Sequence, residues 1–284
     1  MPTRSILVGL IGAGIQASRA PRLHEQEGCD QGLRYLYRLI DLNVLGLSVE
    51  ALPELLTAAE RLGFTGLNIT FPCKQAVIEH LHELDPDARA IGAVNTVLFR
   101  SGRRLGYNTD WSGFAESFRR GLADVGRDRV VQFGAGGAGA AVSHALLSLG
   151  TGRIAIVDID RQRAGDLAEA LCARFGPGRA VASEDVAEAV STAAGVVNTT
   201  PVGMAKFPGM ALPVGMLSSK LWVADVIYFP METELLREAK ARGCRIMSGA
   251  GMAVFQAADA FRLFTGAAPD VKRMLQHFEG MGAD

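Results

Sequence analysis

The sequence predicts an α/β protein of two lobes: an N-terminal α/β lobe with a mostly parallel sheet, and a Rossmann-type dinucleotide-binding lobe. Three observations predict it. Short apolar runs alternate with amphipathic stretches of helical length, the pattern of parallel strands joined by helical crossovers. The alternation starts afresh at Arg129, which implies a second sheet. The chain also has 284 residues, more than one compact domain usually holds.

Ile6–Ile11 reads as the first strand and Tyr35–Asp41 as the second, with a helix-like stretch after Pro21 between them. Ser48–Leu62 sets Leu52, Leu55, Leu56, Ala59 and Leu62 at helical spacing, and Gly66–Thr70 follows as a third strand. Val94–Phe99 and Arg103–Asn108 form a hairpin pair across Ser101-Gly102, and Trp111–Leu122 a connecting helix. In the second series the strands are Val130–Phe133, Arg153–Asp158, Gly195–Asn198 and Leu221–Val226, with Gly243–Met247 as a fifth. Ala253–Thr265 and Pro269–Phe278 are helical with no strand after them, so they are expected to pack back across the first lobe. The domains are therefore set at 1–111, completed by helices within 250–284, and 112–249.

Lys+Arg number 29 and Asp+Glu 30, a net charge of −1. That balance gives no global attraction to nucleic acid or to an anionic membrane, and leaves small-molecule ligands. Four scattered cysteines, Cys29, Cys73, Cys172 and Cys244, show no C-x-x-C pair and no zinc spacing, so they read as free thiols and no metal is expected. The apolar run Ser5–Gly12 is too short to span a membrane. These readings make a soluble, cytoplasmic protein, monomer or homodimer.

Val130–Phe133 runs straight into Gly134-Ala135-Gly136-Gly137-Ala138-Gly139 and then an Ala-rich helical stretch. Strand, glycine turn and helix in that order are the context in which G-x-G-x-x-G binds a dinucleotide. Gly134 permits the tight turn, Gly136 lets the backbone approach the pyrophosphate, and Gly139 lets helix and strand lie close. Asp158 ends the next strand, 22 positions after Gly136. A carboxylate there accepts hydrogen bonds from the adenosine ribose and repels a 2′-phosphate, which favours NAD over NADP. Arg161 and Arg163 stand against that reading if they turn toward the phosphate.

In the first lobe, Asn68-Ile-Thr70-Phe-Pro-Cys-Lys74 places a lysine at the C-terminal edge of a strand. Gly92-Ala-Val-Asn95-Thr96 and Asn108-Thr-Asp110 add polar clusters at other strand edges. A lysine and an aspartate in one cleft can share a proton and pass one to or from a hydroxyl. Taken singly, the same residues read as a surface lysine, a turn asparagine and a helix-capping aspartate. Cys73, beside Lys74, is a candidate reactive thiol only if partly exposed, and His24 reads as a packing or surface residue.

Eight segments in order resemble the shikimate/quinate dehydrogenase family: Ser18–His24, Asn68–Lys74, Gly92–Thr96, Asn108–Asp110, Gly134–Gly137, Asn198–Met204, Asp225–Tyr228 and Gly251–Gln256. The resemblance implies that Lys74 and Asp110 are the catalytic pair. It implies further that Ser18, Thr70, Asn95, Tyr228 and Gln256 hold the substrate's hydroxyls and carboxylate. Thr200, Pro201, Met204 and Met252 would then line the nicotinamide half of the cofactor, and Val226 and Gly249 would also bind the cofactor. Two departures stand out. The family's first motif carries a second hydroxyl where this chain has Ala20, and its NADP-using members carry Asn-Arg-Thr where this chain has Asp158-Ile-Asp160. The second departure is nearer the NAD-using quinate/shikimate branch. The expected activity is hydride transfer at a ring hydroxyl of shikimate or quinate. The alternatives are action on a different hydroxy acid, a methylenetetrahydrofolate dehydrogenase of similar build, and a non-catalytic dinucleotide sensor.

Overall fold

A computed structural model describes residues 5–281. The chain divides into two compact units, one running to Thr109 and resuming at Val254, the other spanning Asp110–Ala253. The limits anticipated at 111 and 249 lie within a few residues of these. The divisions fall at the start of one helix, Asp110–Gly121, and inside another, Gly249–Thr265. Packing, which periodicity does not report, decides which unit takes the end of a helix.

In the first unit the strands are β1 (Ser5–Gly12), β2 (Arg34–Asp41), β3 (Gly66–Ile69), β4 (Glu83–Leu84), β5 (Thr96–Arg100) and β6 (Arg103–Tyr107). They lie in the order β2-β1-β3-β5-β6-β4. The crossovers through helices Ala20–Asp30 and Leu52–Arg61 make β1 parallel to both β2 and β3. The tight turn at Ser101 and Gly102, both at positive φ, makes β5 and β6 an antiparallel hairpin. Ile6, Val8 and Leu10 face Tyr35, Tyr37, Phe261 and Phe264, while Ile11, Leu67 and Ile69 pack with Leu52, Leu56 and Ala59. The aromatic pair Phe261 and Phe264 is the C-terminal helix packing back onto this sheet. Two-residue β4, paired with β6, is too short to show any period, and the sequence reading has no strand there.

The second unit is a six-stranded sheet in the order β12-β11-β10-β7-β8-β9, every pairing parallel. Its strands are β7 (Arg129–Phe133), β8 (Arg153–Val157), β9 (Ala180–Ala182), β10 (Gly195–Asn198), β11 (Trp222–Asp225) and β12 (Arg245–Met247). β7 sits between β8 and β10, so the winding reverses there. Such a switch point opens a crevice at the C-terminal strand ends, where α/β sheets bind nucleotides. No helix among the described residues is long and apolar enough to cross a membrane.

Candidate active site

At one edge of the first sheet the chain leaves β1 and β3 and enters β5, and backbone hydrogen bonds tie these ends together. The Ala13 N–H donates to the Phe71 carbonyl (2.9 Å), Thr70 N–H to Ile11 (2.9 Å), Ile69 N–H to Asn95 (2.8 Å) and Val94 N–H to Lys74 (2.8 Å). Thr70, Lys74 and Asn95 thus share one rim. Lys74 lies in a single helical turn, Cys73–Ala76, and is half-buried. The loop that carries Ser18 is moored by Asp41, the last residue of β2. Its carboxylate accepts the N–H groups of Gly14 (2.8 Å) and Ile15 (2.9 Å) and the Gln16 side chain (3.0 Å). The Gln16 amide and these backbone donors hold the Asp41 carboxyl below the ordinary carboxylate range. Sequence reasoning passed over Asp41, although an acid at a strand end opposite Gly12-Ala-Gly14 was the available signal. Ser18 Oγ accepts the Ala20 N–H (3.3 Å) at the start of the helix.

Asn95 is buried, its Oδ1 accepting the Thr109 N–H at 2.7 Å. Asp110 follows Thr109 directly and opens the second unit, where it too is buried. Of the remaining substrate-side candidates, Gln256 belongs to the first unit and Tyr228 to the second, both half-buried. Cys73 is fully buried, and burial pushes its thiol up to about 11, so it is not a reactive thiol. Among the described residues no cluster of His, Cys, Asp and Glu could hold a metal ion.

In the second unit Gly134 has φ +100°, and a Cβ there would meet Thr199 Oγ1 at 2.7 Å. A Cβ on Gly139 would stand 2.3 Å from the Gly134 carbonyl. The turn is stapled from beneath by three residues absent from the sequence reading of the site. Gln132 Nε2 donates to the carbonyls of Gly134 (2.8 Å) and Gly139 (3.1 Å), Ser143 Oγ donates to Gln132 Oε1 (2.8 Å), and Thr199 Oγ1 donates to Phe133 (2.7 Å). A buried polar residue in a strand, such as Gln132, was the one signal for them.

Gly136 is different: nothing lies within 4 Å of where its Cβ would stand. It is the N-cap of helix Gly137–Ser148, and no side chain caps that end. Ala135, Gly137 and Ala138 flank it in the same turn. The open side of the turn and the uncapped N–H groups fit a pyrophosphate. Asp158 Oδ2 accepts the Ala135 N–H (2.6 Å) and Oδ1 the Asp160 N–H (2.9 Å). The carboxylate therefore lies against the glycine turn. Arg163 pairs with Asp160 (3.2 Å) and, more distantly, with Asp158 (4.0 Å), and Arg161 pairs with Glu184 (2.9 Å).

Further along, Asn198 Oδ1 accepts from Thr200 Oγ1 (2.7 Å), and Asn198 Nδ2 donates to Val202 (2.9 Å) and to Asp225 Oδ1 (3.1 Å). This shapes the loop of Thr200, Pro201 and Met204 beyond β10. Met204 is exposed and Met252 buried. A Cβ on Gly249 would stand 2.2 Å from the Val226 carbonyl, so these two candidates are in direct backbone contact.

Residues 10–97 match the shikimate dehydrogenase substrate binding domain, and residues 249–277 the shikimate 5′-dehydrogenase C-terminal domain. A shikimate dehydrogenase (NADP(+)) of Streptomyces avermitilis is 58% identical over 97% of this chain and 95% of its own length. The chain belongs to the shikimate dehydrogenase family. A quinate/shikimate dehydrogenase (NAD(+)) of Corynebacterium efficiens is 47% identical, covering 96% of this chain and 98% of the relative. Among solved structures, quinate dehydrogenase from Corynebacterium glutamicum in complex with NAD superposes with a TM-score of 0.92 at 45% identity, covering 98% of this chain and 100% of that one. As a member of the shikimate dehydrogenase family, the chain is an oxidoreductase with a nicotinamide nucleotide cofactor and a small-molecule substrate.

Proposed function

We propose that this chain is an NAD-dependent dehydrogenase of quinate and shikimate, interconverting a ring hydroxyl and the corresponding ketone. The first unit holds the acid and the second the dinucleotide. The observation that carries the reading is the shared rim of Thr70, Lys74 and Asn95 at the strand edge beside the moored Ser18 loop. When bound, the nicotinamide supplies the hydride acceptor. Lys74 and Asp110 move the hydroxyl proton, the lysine Nζ taking it as the hydride departs. Ser18, Thr70, Asn95, Tyr228 and Gln256 orient the ring through its hydroxyls and carboxylate. Gly134–Gly139 receive the pyrophosphate, and Thr200, Pro201, Met204, Val226, Gly249 and Met252 line the nicotinamide.

NAD is favoured by Asp158, whose carboxylate stands where a 2′-phosphate would bring its charge. Of the two arginines that would offset it, Arg161 is drawn to Glu184, and Arg163 lies closer to Asp160 (3.2 Å) than to Asp158 itself (4.0 Å). Like charges about 4 Å apart repel by about 4 kcal/mol at an effective dielectric of 20. Initial rates with quinate and with shikimate, each against NAD and NADP, test the whole reading. The expected result is kcat/KM for NAD at least about fiftyfold above NADP. Equal use of the two dinucleotides overturns the cofactor assignment. Ala20 favours a second reading, an acid other than quinate and shikimate, because one charge-assisted hydrogen bond to the carboxylate is missing. Turnover of neither acid selects it.

A further inference from the structure

A chain of buried hydrogen bonds crosses the first sheet from β2 to the residues after β6, and the direction of each link is determined. Tyr37 Oη donates to Asn68 Oδ1 (2.9 Å). Asn68 Nδ2 donates to Thr96 Oγ1 (3.0 Å) and to the Asn95 carbonyl (3.3 Å). Thr96 Oγ1 donates to Asn95 Oδ1 (3.0 Å), which also accepts the Thr109 N–H (2.7 Å). Asn95 Nδ2 donates to Thr109 Oγ1 (2.9 Å). All five residues are buried.

Two backbone groups with only one possible role set the polarity. An N–H can only donate, so the Asn95 atom facing Thr109 is its oxygen. A carbonyl can only accept, so the Asn68 atom facing Asn95 is its nitrogen. The Thr96 hydroxyl, accepting from Asn68, has its hydrogen for Asn95, and the Tyr37 hydroxyl is left to donate to Asn68. The side-chain links from Tyr37 through Asn68 and Thr96 to Asn95 run the same way and polarise one another, and in a buried setting each broken link leaves an unsatisfied group.

We propose that Tyr37 and Thr96 are positioning residues, Tyr37 through Asn68 and Thr96 directly, that lock the Asn95 amide with its oxygen turned inward. Asn95 then meets the substrate as a donor only. The group it recognises is an acceptor, a ring hydroxyl or ketone oxygen, so the alcohol and the ketone forms are held by the same contact. This rests on the proposed role of Asn95 in substrate binding.

The test is a double-mutant cycle on kcat/KM for the acid. Thr96→Val should lower it about tenfold, mostly through KM, with the dinucleotide KM unchanged, and Thr96→Ser should restore it. On an Asn95→Ala background the same substitution should cost less than about twofold. Asn95→Asp, which still accepts from Thr109 but has no donor to offer, should be at least as damaging as Asn95→Ala. Equal losses from Thr96→Val on both backgrounds, or near-normal activity of Asn95→Asp, overturn the proposal. If Thr96→Val does not fold, Tyr37→Phe takes its place in the cycle with the same criteria. An Asn95→Ala variant with unchanged kcat/KM removes the substrate contact and this proposal with it. The dehydrogenase reading then still stands or falls by turnover of the two acids.

Discussion

Single residues carry the chemistry, and each has a physical reason for its place. Lys74 is held by a one-turn helix whose carbonyl binds Val94, so the ammonium stem leaves a rigid rim. Removing a substrate proton as hydride leaves needs a base within hydrogen-bond reach. Lys74→Ala is accordingly expected to lower kcat at least about a hundredfold, with little change in the acid's KM. A variant keeping more than about a tenth of the wild-type kcat takes Lys74 out of the proton transfer. Asp158 braces the glycine turn through the Ala135 N–H and, in the proposed function, also faces the ribose. Asp158→Asn keeps one oxygen for the brace and removes the charge. Steady-state kinetics with both dinucleotides should show the preference for NAD narrowing, chiefly by a lower KM for NADP. An unchanged ratio would mean that the carboxylate does not set the preference.

At the scale of elements, the strand–turn–helix unit from β7 to Ser148 works because Gly139 and Gly136 do different things. Gly139 has no room: a Cβ would press on the Gly134 carbonyl, backbone that cannot swing away. Gly139→Ala should therefore destabilise the fold by about 1–3 kcal/mol, as overpacking does. Gly136 has room in the protein but is assigned none beside the pyrophosphate. Gly136→Ala should leave the melting temperature close to wild type and raise the dinucleotide KM at least about tenfold. Thermal melts alongside cofactor titrations separate the two variants. A Gly136→Ala protein that binds the cofactor normally would place the pyrophosphate elsewhere. The stapling of this turn by Gln132, Ser143 and Thr199 explains why a strand whose other buried residues are apolar keeps a buried amide.

At the scale of the whole molecule, one buried titratable group in each unit is expected to make the two units respond to acid in opposite directions. His24, buried against Tyr35, Tyr37, Phe261 and Phe264 in the first unit, is lowered by burial from 6.5 to about 3. Its neutral form is the folded one, so the first unit loses stability as pH falls below 6.5, by about 1.4 kcal/mol per pH unit while the unfolded imidazole is charged. Asp225, buried at the end of β11 in the second unit, is raised by burial from 3.8 to about 6. The second unit therefore gains stability as pH falls from 6 toward 4. Hydrogen exchange at pH 4.5 and 7 should show protection falling in the first unit and rising in the second. His24→Gln should flatten the first trend and Asp225→Asn the second. Parallel trends in both units would contradict these assignments. The sequence by itself determined the two α/β series, the strand–glycine–helix turn and the family, because periodicity and motif spacing are local properties of the chain. It also placed Asp158 just after a strand and Lys74 a few residues beyond another, since the residues after an apolar run must leave the sheet, and Asn95 at the entry to a third. Only the tertiary structure decided the rest. Strands β4 and β9 have two and three residues and owe their pairing to neighbours far along the chain. The mooring of the Ser18 loop by Asp41, the Thr199 bond to Phe133 beneath the glycine turn and the links from Tyr37 to Asn68 and from Asn68 to Thr96 behind Asn95 join residues that the sequence separates by 25 or more positions. A polar side chain in the sequence shows that a partner is needed when it is buried; which partner it finds is settled when the strands come together.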